Sequence, residues 1–321
     1  MKSRWMAIRA PMDKRTKRWL SVLSFVLPLA VWAVLSYVPW IWHPYVRVSD
    51  PGAVASFEID SLIDKDSFAQ ENATARASGL AEAKGEPANP VFLPAPHEVA
   101  QAFVVAFTTP PRRAGEPWLH ESLLHSIRVI MVGFLLSSLI GVPLGILCGC
   151  YGLFRGLFEP FIEFFRYLPA PAFGALAVAI WGIEDGPKVA IIVIGTFFQQ
   201  VLVIGNTTRR FDPVLLEAAQ TMGTKGLSLV TRVVVPGIMP DVYRDQRILL
   251  GWAWTYLIVS EVVGTSTGIT WFINNQAKYR IYENVYAAIV MIGIIGISCD
   301  AILSAVGKRL FRWQTANGKE A

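Results

Sequence analysis

Residues 212–223 read Asp212-Pro213-Val214-Leu215-Leu216-Glu217-Ala218-Ala219-Gln220-Thr221-Met222-Gly223, and Val234-Val235-Pro236 and Pro240 follow. Asp before Pro is a strong helix start. The carboxylate accepts from a free N–H, and Pro loses nothing at the first helical position. Val214, Leu215, Ala218, Ala219 and Met222 then make a small apolar face. Glu217 lies in the early part of the helix, where its charge complements the dipole. Gly223 admits the left-handed conformation that ends a helix. Pro236 and Pro240 are expected to stop the next segment and turn the chain back. A short capped helix of this kind can seat in a groove of a second protein, or pack on its own bundle as a surface connector.

Working outward, the stretch lies between long apolar runs. The chain has 321 residues, 53% hydrophobic and 17% charged, with a mean hydropathy of +0.44. Soluble domains are about 25% charged. The deficit comes from runs at residues 19–42, 122–150, 158–181, 188–205, 248–264 and 285–307. Each is near the roughly 20 residues that cross a bilayer. Irregular backbone cannot face lipid, so the expected fold is all-α: a polytopic membrane bundle of about six helices. The run at 19–42 exceeds the roughly 7–15 residues of a signal-peptide core, and no clear A-x-A site follows. It reads as a retained span.

The net charge of +5 does not indicate nucleic acid, because the basic residues cluster at segment ends. Lys2, Arg4, Arg9, Lys14, Arg15, Lys17 and Arg18 precede the first run; Lys308, Arg309 and Arg312 follow the last. The loop with Arg209, Arg210, Lys225 and Arg232 is also positive, whereas the turn at Glu184-Asp185 is acidic. The positive-inside rule then puts both termini in the cytoplasm. The expected organisation is a basic cytoplasmic N-terminus (1–18), a first transmembrane helix (19–42), an extracytoplasmic loop (43–117), a five-helix core (118–307) and a cytoplasmic tail (308–321). Within the core, 206–245 is a cytoplasmic loop.

Residues 49–90 are rich in Ala, Ser, Asp, Glu and Gly. They read as an exposed, partly disordered insertion. It is either a functionless solvated loop or an extra contact for an outside partner. Beyond it, Leu93-Pro94-Ala95-Pro96 is extended, and a short helix begins near His97, with Val99, Ala102, Phe103 and Ala106 on one face. Gly133, Gly141, Gly145 and Gly149 form a small-residue stripe that lets helices approach. Glu163 and Arg166 are one turn apart and suited to pairing. Pro169 and Pro171 interrupt their run, as a kink or as a broken helix lining a cavity. Cys148, Cys150 and Cys299 lie in apolar runs and read as buried thiols.

The string Glu217-Ala218-Ala219, Gly223, Val234-Val235-Pro236 and Pro240 resembles the EAA loop of binding-protein-dependent ABC importer permeases. Across residues 92–311, further strings are similar to the nitrate/sulfonate/taurine/bicarbonate branch: Leu93-Pro94-Ala95-Pro96-His97-Glu98-Val99, Ser126-Ile127-Arg128-Val129, Gly141-Val142-Pro143-Leu144-Gly145 and Trp181-Gly182-Ile183-Glu184-Asp185-Gly186-Pro187-Lys188. The resemblance implies a type I ABC importer permease, multi-pass in the bacterial cytoplasmic (inner) membrane. Its implied partners are ABC ATPase subunits, an extracytoplasmic solute-binding protein and a second permease copy, most simply as a homodimer in membrane lipid. Glu217, Ala218, Ala219, Gly223 and Pro236 become the ATPase-coupling positions. The insertion at 49–90 departs from the branch's compact pattern.

The chain itself is not expected to be an enzyme. It has no phosphate-binding G-x-x-x-x-G-K-[ST] motif and no zinc-type ligand cluster. No cofactor is expected in this chain; ATP and Mg belong to the partner ATPase subunits. His120 and His125 read as capping or packing residues. Pathway candidates are the polar residues of the spans, Arg128, Arg166, Gln199, Gln200, Ser260 and Glu261, since ionisable groups in lipid usually face the bundle interior. Arg suits an anion, yet Arg128 and Arg166 lie near span ends, where snorkelling is the plain alternative. A self-contained secondary transporter or channel is the competing reading, and it requires deep ion-coupling acids; Asp300 and Glu261 are the only candidates.

Overall fold

The 32 residues from Leu119 to Cys150 form one helix despite Pro143. Glu121 starts it by accepting from the Trp118 N–H at 3.0 Å. In this computed structural model the described residues are 12–38, 41–110, 117–263 and 267–313. In order they form α1 Lys14–Tyr37, β1 Tyr45–Asp50, β2 Leu62–Asp64, α2 Lys65–Ala77, β3 Lys84–Ala88, α3 Pro96–Thr108, α4 Leu119–Cys150 and α5 Gly152–Arg166. A 3-10 turn at Ala170–Phe173 leads into α6 Gly174–Trp181. Then come α7 Asp185–Arg209, α8 Pro213–Thr221, α9 Gly226–Leu229, a π-turn Val230–Val234, α10 Val235–Val263, α11 Ile269–Lys278 and α12 Tyr282–Leu310.

The chain divides into two compact units. In the larger one, α4 and α7 pack face to face along the glycine stripe. Gly133 lies on Ile192, Gly141 on Gln200, Gly145 on Ile204 and Gly149 on Thr208. The two sets of numbers rise together, so the helices run parallel. A Cβ at 133 would stand 2.7 Å from Ile192, and one at 145 would stand 2.8 Å from Ile204. Absence of side chains is therefore what permits this approach. Helix α10 runs antiparallel against the pair and completes a core of Val129, Ile130, Phe134, Ile192, Leu249, Leu250, Ala253 and Leu257.

Among the described residues, α1, α4, α7 and α12 are long and apolar enough to cross a membrane, and α5 with the Ala170–Trp181 segment makes a further bent pair. Helix α10 carries Asp241, Arg244, Asp245 and Arg247 in its first half, and its apolar second half supplies the remaining run. The expected run at 158–181 is not a single straight span: its two halves meet at 89° across the prolines. The first helix starts earlier than expected, at Lys14, and ends at Tyr37.

Two expectations about prolines and charges fail. Pro236 and Pro240 do not stop a segment. Residues 226–263 are helical throughout, with the π-turn at Val230–Val234 absorbing the disruption just ahead of Pro236. A widened turn relieves the clash between a proline ring and the carbonyl four residues earlier. Nor does Arg166 pair with Glu163; it donates to Tyr167 Oη at 3.0 Å and lies over that ring at 4.9 Å. The acid that is paired is Glu159, held by Arg155 and, from α7, by Arg209.

The largest correction concerns the insertion. Residues 45–88 are not partly disordered; they fold as a small α/β module within the other unit. β1 is the central strand, antiparallel to both β2 and β3. Val46 and Val48 alternate with Arg47 and Ser49, so β1 buries one side. Asp64 caps α2 through the amides of Asp66 and Ser67. Val48, Val54, Phe57, Ala75 and Ala83 form the core, and Phe57 stacks on Phe68 with centroids 5.4 Å apart. Asn72 ties helix to strand, giving Nδ2 to Ala83 O at 2.9 Å and accepting Ala83 N–H at 2.7 Å. The all-α reading holds for the rest. In the same unit α3 forms as expected and buries Val99 and Ala102; the Trp32 indole donates to Pro94 O at 3.1 Å.

Candidate functional site

Helix α8 is built as its sequence dictates. Asp212 accepts from Val214 N–H at 2.9 Å, Pro213 opens the helix, and Gly223 follows it at φ +89°. No residue of α8 is buried. Leu216 packs inward with Phe211 against Ile204, Val234, Ile238 and Val242. Gly237 admits the Phe211 ring, since a Cβ there would collide with it. One leucine and one phenylalanine thus seat the helix, and its other large apolar residues point out. Val214, Leu215, Met222 and Leu227 are exposed, Met222 by 86%. Glu217 and Ala218 are exposed and Ala219 half-buried. Exposed apolar side chains on and just after a helix that also bears an exposed carboxylate suit a protein partner. Pro236, the fifth of the expected coupling positions, is exposed and lies just beyond the π-turn, at the start of α10.

The polar residues inside the bundle fall into separate groups. Gln200 is fully buried, bonded to Ser137 Oγ at 2.8 Å and Ser138 Oγ at 3.0 Å, and it donates to Gln246 Oε1 at 3.3 Å. This amide and hydroxyl cluster links α4, α7 and α10 at mid-length. Glu261, 1% exposed, lies at the far end of α10, bonded by Ser126 Oγ of α4 and, at 2.8 Å, by Thr270 N–H of α11. Ser260 is buried beside it but only returns its hydroxyl to Leu257 O at 2.8 Å. Gln199 is half-buried; Arg128 and Arg166 are exposed. The six pathway candidates are therefore not one constellation.

Sequence reasoning missed several partners. Gln246, Ser137 and Ser138 were hidden by their long separation from Gln200. Lys188 is 2% exposed and bonded to Asp185 at 3.1 Å and Thr267 Oγ1 at 3.0 Å. His125 meets Asp185 at 3.0 Å, and His120 stacks on Phe107. His120 thus packs, as expected, whereas His125 meets a carboxylate. Asp300 is held by Arg247 in a bidentate pair of 2.9 and 3.1 Å. The three cysteines are free thiols.

Comparison with known proteins agrees with this architecture. Residues 141–313 match the family model described as "Binding-protein-dependent transport system inner membrane component". A probable ABC transporter permease protein of Brucella abortus is 30% identical over 224 residues, 70% of this chain and 87% of that protein. The taurine transport system permease protein TauC of Escherichia coli K12 is 27% identical over 225 residues, 70% of this chain and 81% of its own length. Among solved structures, an inward-facing MetNI methionine ABC transporter aligns with a TM-score of 0.52 at 19% identity, covering 60% of this chain and 94% of that one. With apolar helices packed through a glycine stripe and a family match over more than half its length, this chain belongs to the binding-protein-dependent inner-membrane components, the multi-pass permease subunits of ABC importers.

Proposed function

We propose that α8 is the point where a cytoplasmic ATPase grips this permease, with Glu217, Ala218, Ala219 and Gly223 as the coupling positions. The single observation that supports this most is the exposed apolar surface of a helix anchored to its bundle by Leu216 and Phe211. Two ATPase subunits carry ATP and Mg; this chain carries neither and catalyses no reaction of its own. A second copy of the chain completes the membrane part, a soluble solute-binding protein delivers from outside, and both termini face the cytoplasm. Docking drives transport only because its strength differs between bundle conformations.

The solute is a small anion or zwitterion of the taurine, sulfonate, nitrate or bicarbonate type. What favours this class is the resemblance to permeases named for taurine, aliphatic sulfonates and nitrate. An ion-coupled carrier acting alone needs a free acid within the spans. Asp300 is ion-paired and Glu261 hydrogen-bonded, which disfavours that reading.

The test is Glu217→Lys in vesicles reconstituted with the ATPase subunits and the binding protein. The variant is expected to insert normally and to lose ATP-driven uptake, because its reversed charge meets the partner's groove. Normal uptake at normal subunit stoichiometry defeats the coupling assignment.

A further inference from the structure

We propose that the groove between α12 and the α4–α10 pair holds one acyl chain of a membrane phospholipid. The site lies wholly within the larger unit. It depends on the membrane location of the chain and not on the coupling reading. The groove measures about 270 Å³. Ile127 and Ile130 line it from α4, Leu250 and Trp254 from α10. On α12 it runs from Ile295 to Leu303, about 12 Å along the helix. At its Leu303 end α12 closes on α10. Tyr243 Oη donates to Leu303 O at 2.8 Å, and Arg247 holds Asp300. One turn further, Gly307 lies so near the Tyr243 ring that a Cβ would stand 2.7 Å from it. These contacts set the spacing of the two helices at this end, and the side chains between Ile295 and Leu303 leave the gap unfilled.

The lining decides the occupant. No polar atom of the described residues faces the groove. The hydroxyl in its wall, Ser298 Oγ, donates back to Ile294 O at 2.7 Å. Such a cavity stays dry, and an apolar one of only about 150 Å³ already takes benzene or xenon. Left empty, it forfeits dispersion on every lining atom. The groove is open on one side. Ile302 in its wall is exposed, and so are Ile294 and Ile297 beside it. On a helix long and apolar enough to cross a membrane, and almost unburied, that side meets hydrocarbon. A whole helix from a second copy is too thick: one turn, about 10–12 Å across, occupies more than about 400 Å³. A single unbranched chain fits, and the bilayer supplies its apolar atoms in that form.

The test uses the full chain in proteoliposomes made with a phosphatidylcholine that carries a photoreactive diazirine midway along one acyl chain. Ile130, Leu250, Ile191 and Ile192 are all buried, yet only the first two line the groove. After illumination, Ile130 and Leu250 should be labelled at a level comparable to the exposed Phe25 of α1, and Ile191 and Ile192 should stay unlabelled. Ser298→Phe fills the groove and should abolish labelling at Ile130 and Leu250 while sparing that at Phe25. Ser298→Ala leaves the groove open and should keep all of it. If Ile130 and Leu250 of the parent are labelled no more than Ile191 and Ile192, no chain enters and the proposal is overturned. That comparison stands even where Ser298→Phe fails to assemble. The proposal also falls if Ser298→Phe leaves the labelling unchanged, or if a short thiol-reactive linker joins Cys299 of two copies, which puts a second copy over the groove.

Discussion

At the residue scale, small size and exposure matter as much as chemistry. Gly145 stands where any Cβ meets the Ile204 side chain at 2.8 Å and the Val201 carbonyl at 2.9 Å. The carbonyl cannot yield, because α7 is a continuous helix. Gly145→Ala should therefore lower stability by about 1–3 kcal/mol through overpacking, although Ala favours helix. A Cβ added at Gly156, inside α5, would meet nothing within 4 Å. Gly156→Ala should be neutral or stabilise by up to about 1 kcal/mol. Thermal unfolding of the two variants in detergent checks the contrast; equal shifts would refute the stripe as the packing seam. The glycine spacing was readable in advance. Its partners on α7 were not, because a helical stripe does not say which helix fills it.

At the scale of elements, the insertion teaches the most. Its composition resembles a disordered loop because few of its residues are apolar and buried, chiefly Val48, Val54, Phe57, Ala75 and Ala83, and averaging over the whole stretch conceals them. The informative signals were local: the alternation Val46-Arg47-Val48-Ser49 and the Asp64 cap. A module this small buries little area and is marginal by itself. Val48 is fully buried, so Val48→Asp should unfold it, at a cost of several kcal/mol for an unpaired buried charge. Trypsin reads this out. The parent should resist cleavage at Lys65 and Arg76, the variant should be cut at both, and membrane insertion should be retained. Rapid cleavage of the parent would return the segment to a loop. The proline reading of residues 226–263 failed for a related reason: a single π-turn accommodates what a regular α-helix would forbid.

For the whole molecule, burial sorts the helices. Only 6% of the most apolar window is buried in α1 and in α12, whereas α4 and α7 each bury 44% of theirs. A photoreactive probe confined to the lipid phase should label Trp19, Phe25 and Leu27 of α1 heavily and Ile191 and Ile192 of α7 hardly at all. Equal labelling would reject this arrangement. The amino-acid sequence alone determined the membrane location, the presence of several long apolar runs and the capped α8 helix. Each of those depends on a contiguous stretch and its local hydrogen bonds. Tertiary structure alone decided that Gln200 meets Ser137 and Gln246, that Lys188 and Glu261 hold one stretch of chain, and that Asp300 is bound by Arg247. Apart from Glu261 and Thr270, those partners lie dozens of residues apart, and only the packing of parallel and antiparallel helices sets the register that brings them together.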